Sequence, residues 1–232
     1  MATATPLLLL FALLTVAASG TPQKPVWPEK FDAPFGLTTT IDGSTIFVNR
    51  TAHFYYDFAL KASVIDYPES CLNGLVAGDA PCRLTFNHVG TYMLAPRGGV
   101  DCCLLFPGVG TIPPDFLAEF EFNGTRPNVQ DLYGRRVTTN FWRSAAGFLY
   151  WTDAATGKDV QFRDGPSPVY WNWGVLTARN QSAATFAVPA QCASTCPTPP
   201  SLDAATHAHA ARAALGPLGL RAVPQLPRLQ KP

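Results

Sequence analysis

The feature that most constrains this chain is a two-residue alternation of aromatic side chains. Phe54, Tyr56 and Phe58 alternate with His53, Tyr55 and Asp57. Ala118, Phe120 and Phe122 alternate with Glu119, Glu121 and Asn123, and Val169, Trp171, Trp173 and Val175 alternate with Tyr170 and Asn172. Successive side chains of a strand leave opposite faces, so a period of two rich in aromatic and β-branched residues is a strand signature. Turn-forming residues separate the runs: Asp42-Gly43, Arg97-Gly98-Gly99, Asn123-Gly124, Thr156-Gly157 and Asp164-Gly165. Phe148 to Thr152, then DAATGKD, then Val160 to Phe162 reads as a hairpin. No stretch of the body keeps a helical period for about eleven residues. Many short strands at this spacing predict an all-β dominated fold, an antiparallel sandwich or barrel.

Two of the runs, Phe148-Leu149-Tyr150-Trp151 and Val169-Tyr170-Trp171-Asn172-Trp173, are apolar on both faces. A strand with one face in water does not need that. Either these strands sit centrally in a thick core or one face lines a cavity, and the pattern alone leaves both readings open.

The N-terminus points to export. Leu7 to Leu14 form an apolar run, followed by the small residues Val16, Ala17, Ala18, Ser19 and Gly20. That order matches a secretory signal peptide, with an apolar core too short to span a bilayer, although no Lys or Arg precedes it. Cleavage is predicted between Ala18 and Thr21, which assigns 1–20 to the signal. No other stretch approaches the ~18 apolar residues of a membrane helix, so no transmembrane segment is expected.

The six cysteines, Cys71, Cys82, Cys102, Cys103, Cys192 and Cys196, all follow the signal. In an oxidising lumen an even set reads as three disulfides, and the Cys-x-x-Cys knuckles of a zinc site are missing. Cys102 and Cys103 point to opposite sides of an extended segment, so each is expected to staple a different element to one strand rather than bond its neighbour. At least one of Cys192 and Cys196 is expected to reach back to Cys82, Cys102 or Cys103; beyond that, the pairing among fifteen alternatives stays open. Three sequons, at Asn49, Asn123 and Asn180, predict N-linked glycans on exposed loops.

Apart from Phe11, every Phe, Trp and Tyr lies between Trp27 and Phe186. The folded domain is accordingly placed at 21–196. Residues 197–232 form an Ala/Pro-rich tail, read as disordered or partly helical, with Asp203 as a helix cap and Gly216-Pro217 as a stop. The net charge of +1, without a basic patch interleaved with aromatics, argues against nucleic acid. No nucleophile elbow, phosphate loop or His-Glu-x-x-His motif is present. His207 and His209 fall in the tail, Glu119 and Glu121 read as a solvated strand face, and Asp153 to Asp159 lacks the spacing of a calcium loop. No catalytic residue, metal site or cofactor is predicted, and the chain is read as a non-enzyme.

One order of motifs is distinctive. Trp27-Pro28-x-x-Phe31 opens the domain, followed by Tyr55-Tyr56-Asp57-Phe58, Cys71, Pro81-Cys82, Tyr92, Cys102-Cys103, Pro113-Pro114-Asp115-Phe116-Leu117 and Phe120-x-Phe122-Asn123-Gly124; Phe186-x-x-Pro189-x-x-Cys192 closes it. Over about 27–196 this order resembles the ependymin-related proteins, especially their divergent members outside vertebrates. The resemblance implies a secreted or lysosomal (or vacuolar) glycoprotein in which two antiparallel sheets form a half-open barrel. It also implies a concave apolar pocket suited to fatty acyl chains, and it leaves calcium binding and a homodimer as options. On strand alternation, the expected pocket residues are Phe54, Tyr56, Phe58, Phe120, Phe122, Phe148, Tyr150, Trp171 and Trp173. The expected partner is a fatty acid or lipid. The alternatives are a matrix or adhesion scaffold, a lectin-like binder using exposed aromatics such as Trp142 and Trp151, and, third, a hydrolase without a recognisable motif.

Overall fold

The computed structural model describes residues 20–41, 44–69, 71, 80–163, 169–193 and 195–196. Residues 1–19 of the expected signal, the tail 197–232, and the turn pairs Asp42-Gly43 and Asp164-Gly165 lie outside the described residues. Twelve strands are described: β1 (Lys30–Ile41), β2 (Ser44–Asp57), β3 (Ala62–Tyr67), β4 (Cys82–Phe86), β5 (Gly90–Ala95), β6 (Val100–Pro107), β7 (Glu121–Gln130), β8 (Arg136–Arg143), β9 (Leu149–Asp153), β10 (Asp159–Arg163), β11 (Val169–Trp173) and the short β12 (Thr177–Ala178). Helical structure among the described residues is limited to 3-10 turns of three or four residues. The fold is all-β, and the hairpin predicted around DAATGKD is β9–β10, with Gly157 supplying the left-handed conformation (φ 72°) in its turn.

One antiparallel ladder links the strands in the order β6-β5-β4-β3-β2-β1-β11-β10-β9-β8-β7, with β12 added on β1. The sheet is not closed: β6 and β7 are its free ends. It is strongly bent. β4 and β10 are five strand steps apart, roughly 24 Å in a flat sheet at ~4.8 Å per step. Yet Phe86 of β4 and Phe162 of β10 line the same cavity.

Paired residues share a face, so the register separates an inner from an outer surface. One inner row runs Phe122, Trp142, Tyr150, Phe162, Trp171 and Leu37 from β7 across to β1. Another runs Ala33, Phe54, Ile65, Leu84, Met93 and Cys103 from β1 to β6. The alternation noticed in the sequence is this inner face. Its rings meet mostly edge-on or tilted around Trp27, which contacts Phe31, Phe54, Tyr56, Phe116 and Trp173 at centroid distances of 4.5 to 5.9 Å.

Two local expectations are corrected. The run from Ala118 to Phe122 is not one strand. Phe116–Glu119 form a 3-10 turn, closed by amides of Phe116, Ala118 and Phe120 bonding to carbonyls three residues back, and β7 starts at Glu121. The stiff Pro113-Pro114 pair sets that turn. Asn123-Gly124 does not divide two elements either; it is a bulge inside β7, where Gly124 takes φ 81° and the register with β8 shifts.

All six cysteines pair, as Cys71–Cys82, Cys102–Cys192 and Cys103–Cys196. The long-range closure by both Cys192 and Cys196 agrees with expectation. The adjacent cysteines differ from it in one respect: they hold one segment, not two elements. Cys103 lies in the inner row and Cys102 on the opposite side, so residues 192–196 straddle the free edge of β6. There the Cys196 amide donates to the Leu104 carbonyl, and Leu104 bridges Thr195.

Candidate hydrophobic binding site

The inner face closes over a cavity of about 50 Å³. From the sheet come Phe54 (β2), Ser63 and Ile65 (β3), Phe86 (β4), Phe162 (β10) and Trp171 and Trp173 (β11). The roof is Trp27 from the N-terminal segment with Gly110, Ile112 and Phe116 from the strandless segment 108–120. Ser63 brings the one hydroxyl in this lining, and it accepts from Thr111.

The roof is pinned by hydrogen bonds to its backbone. Tyr56 donates its hydroxyl to the Ile112 carbonyl at 2.8 Å, Thr91 to the Val109 carbonyl at 2.9 Å, and the Trp27 amide to the Pro114 carbonyl at 3.0 Å. Gly110 is required by close approach: a Cβ there would stand 2.9 Å from the Asn87 carbonyl oxygen. Trp27 is fixed from behind as well. Its indole N–H donates to the Tyr150 hydroxyl at 3.1 Å, and Tyr150 donates to Asp159 Oδ1 at 2.6 Å. Burial pushes the Asp159 carboxyl above its ordinary value, outweighing the lowering by hydrogen bonds from Tyr150 and Trp27. Burial likewise pushes the hydroxyls of Tyr56, Tyr67 and Tyr150 up, which keeps Tyr56 and Tyr150 as neutral donors.

Of the nine residues expected to line a pocket, Phe54, Trp171 and Trp173 line the cavity. Tyr56, Phe148 and Tyr150 are buried in the same core cluster beside it, and Tyr56 and Tyr150 act through their hydroxyls on the roof. Phe120 is buried against Phe116. Phe58 lies beyond β2, stacked on Tyr56 with the Lys61 ammonium over its ring. Phe122 packs on Trp142 at the β7 end of the inner row. Sequence reasoning missed Trp27, Ile65, Phe86, Ile112, Phe116 and Phe162. Alternation identifies a face within one strand; which distant strand bends round to meet it has no local signal. Trp142 and Trp151, expected as exposed sugar platforms, are 1 % and 8 % exposed, Trp142 because it belongs to the inner row.

Compared with known protein families and with characterised proteins, the sequence matches none.

Among the described residues no group of three His, Cys, Asp or Glu side chains gathers as a metal site, and no helix is long and apolar enough to cross a membrane. Asp153 spends its carboxylate on its own turn, accepting from the Ala155 and Thr156 amides and the Thr156 hydroxyl. Of the sequon asparagines, Asn123 and Asn180 are exposed; Asn49 lies on β2.

Proposed function

We propose that this chain is an exported, ependymin-like carrier that takes a fatty acyl chain into the cavity of its bent sheet. On this reading β2–β4 and β9–β11 are the two facing layers of a half-open barrel. The observation that supports it most is the lining: eleven residues from seven stretches of chain converge, and Ser63 brings their one hydroxyl. Three disulfides fit an extracellular or luminal location, and the sequons at Asn49, Asn123 and Asn180 fit a glycoprotein.

The volume sets the mechanism. A cavity of about 50 Å³ is smaller than the ~150 Å³ that admits benzene. An acyl chain enters only if the roof gives way. The roof is the part built to do so, because segment 108–120 joins the body through single hydrogen bonds rather than a ladder. Each buried methylene contributes ~0.8 kcal/mol, so even six or so of them offset much of the cost of ordering the ligand and lifting the roof. The headgroup stays in water.

Delipidated protein titrated with a fluorescent fatty acid tests the reading. Saturable uptake is expected in the wild type and loss of uptake in W171D, whose target ring is half-buried at the cavity wall. Native mass spectrometry of the secreted protein is expected to show co-purified lipid. Absence of both lipid and saturable uptake refutes it.

A further inference from the structure

We propose that the outer face of β8–β11 is a docking surface for an anionic polysaccharide. The register gathers there side chains that the sequence keeps apart. Arg143, Leu149, Arg163 and Tyr170 form one cross-strand row, and Phe141, Trp151, Gln161 and Asn172 the next. Arg126 joins them from β7, opposite Thr139. The rings form a continuous row: Phe141 stacks on Trp151 at 5.1 Å with 27° between the planes, and Tyr170 meets Trp151 at 5.9 Å, tilted by 51°. Two guanidiniums lie over its ends, Arg126 at 4.8 Å from the Phe141 centroid and Arg163 at 5.5 Å from that of Tyr170.

Among the described residues, Arg126, Arg143 and Arg163 make no ion pair with a carboxylate. Glu121, opposite Arg143, stays beyond ion-pair distance, and Asp153, the other carboxylate of this face, is held by its own turn. Among the described residues, Arg126 bonds to the Thr125 carbonyl at 3.1 Å and to Asn123 Oδ1 at 3.3 Å, and Arg163 to the Tyr170 hydroxyl at 3.3 Å. The exposed guanidiniums of Arg126 and Arg143 suit bidentate capture of a carboxylate or sulfate group. Trp151, 8 % exposed, is the spine; the accessible parts are the half-buried Phe141 and Tyr170 rings and the exposed side chains of Arg126 and Arg143. Ring faces receive the C–H side of a pyranose, and the stack crosses four strands, roughly 14 Å, the reach of a short linear oligosaccharide. A nucleic acid would ask for a broad basic field, which a net charge of +1 does not provide.

The test uses the full secreted protein at low salt, with immobilised heparin (sulfated), polygalacturonate (carboxylated), neutral dextran, a single-stranded oligonucleotide and anionic lipid vesicles. Binding to heparin, to polygalacturonate or to both is expected, weakened by salt, with none to dextran. Which of the two binds identifies the anionic group. R126A/R143A removes two exposed side chains and is expected to lower affinity at least tenfold, on the order of one charge-assisted contact, while thermal midpoint and fatty-acid uptake stay unchanged. R163K keeps charge but loses the planar fork, and is expected to weaken binding at constant salt dependence. The proposal is overturned by no binding to either acidic polysaccharide, by equal binding in R126A/R143A, or by oligonucleotide or vesicle binding as tight as heparin binding.

Discussion

The outer surface of the sheet is finished in opposite ways at its two ends. Over β2–β4 the charges are matched: Asp32 lies between His53 and Arg179, and Arg83 grips Asp66 with two bonds of 2.6 and 2.9 Å. Val64 and Ala62 are covered by Phe186 from the C-terminal 3-10 turn, with Tyr55 alongside. The adjoining edge strand β6 is sewn to residues 192–196 by two disulfides. Over β8–β11 the outer rings are covered by one another and by Arg126 and Arg163, these arginines make no ion pair among the described residues, and the edge strand β7 carries no covalent staple. The comparison teaches that covalent closure and packing are divided between the halves. The first half is held from outside by the C-terminal segment, and the second only by its inner aromatic row.

The largest effect should come from cutting the staples together. Cys102–Cys192 and Cys103–Cys196 close nearly the same loop, with separations of 90 and 93 residues. On the chain-entropy account one such loop is worth about 4.5 kcal/mol, and a second bond across it adds little. Replacing all four cysteines by Ser is therefore expected to cost about 4–5 kcal/mol in urea denaturation, whereas C102S/C192S alone costs about 1 kcal/mol or less. Additive losses from the two bridges would show that each holds a separate part of the structure.

The second half should respond to packing instead. Trp142 is 1 % exposed, touches Phe122 at 5.4 Å and donates to the Thr152 hydroxyl. Trp142→Ala is expected to cost about 4 kcal/mol, as much as both staples. A cost below about 1 kcal/mol would mean that β7–β8 is not part of the cooperative unit.

What the sequence made legible, and what it hid, follows the same line. The period-two aromatics of β2, β9 and β11 and the long reach of Cys192 and Cys196 were readable, because strand alternation and an even cysteine set are local or compositional signals. Trp27 and Phe116 were quoted for their motif order but not as cavity residues: each sits in a strandless segment whose partner strand is set by the bend of the whole sheet. Arg126, Arg143 and Arg163 are far apart in sequence and meet only through register. Asn123-Gly124 misled because the same pair that closes a hairpin also supplies a bulge, and only the opposing strand decides between them.

A subtler test concerns the polar relay behind the roof. Burial holds the Asp159 carboxyl above its ordinary value against the opposing hydrogen bonds of Tyr150 and Trp27. The folded protein therefore binds this proton at a higher pH than the unfolded chain does. Stability should rise as pH falls through the folded-state value, with the gain complete once pH is below the ordinary carboxylate value. Asp153 works the other way: burial raises it, but hydrogen bonds from Thr156 and Ala155 win and hold it low, so its contribution is lost in acid. The difference between wild type and D159N isolates the first group. Urea midpoints measured from neutral to mildly acidic pH should rise less, or fall more, in D159N than in wild type. Parallel profiles would show that Asp159 titrates normally.

The smallest expected change in stability lies at the unstapled edge, and it bears most directly on the comparison. An open edge strand invites pairing with another chain, and β7 must deter this without a disulfide. It does so by shape. Gly124 at φ 81° and Asn128 at φ 61° break the register with β8 twice, and Pro127 removes a ladder donor between them. Gly124→Ala strains a left-handed backbone and should cost only about 1 kcal/mol. Replacing 124–128 by a regular alternating strand sequence should cost as little, or even stabilise the monomer. That second variant nevertheless straightens β7 and restores a continuous row of free donors and acceptors on one side. Sedimentation velocity is expected to show concentration-dependent dimers or larger species for it, and none for Gly124→Ala. If the regularised strand stays monomeric at high concentration, the bulges are not what protects this edge. The sequon at Asn123, exposed on the same strand, would then be the next candidate, tested by Asn123→Gln in the same assay.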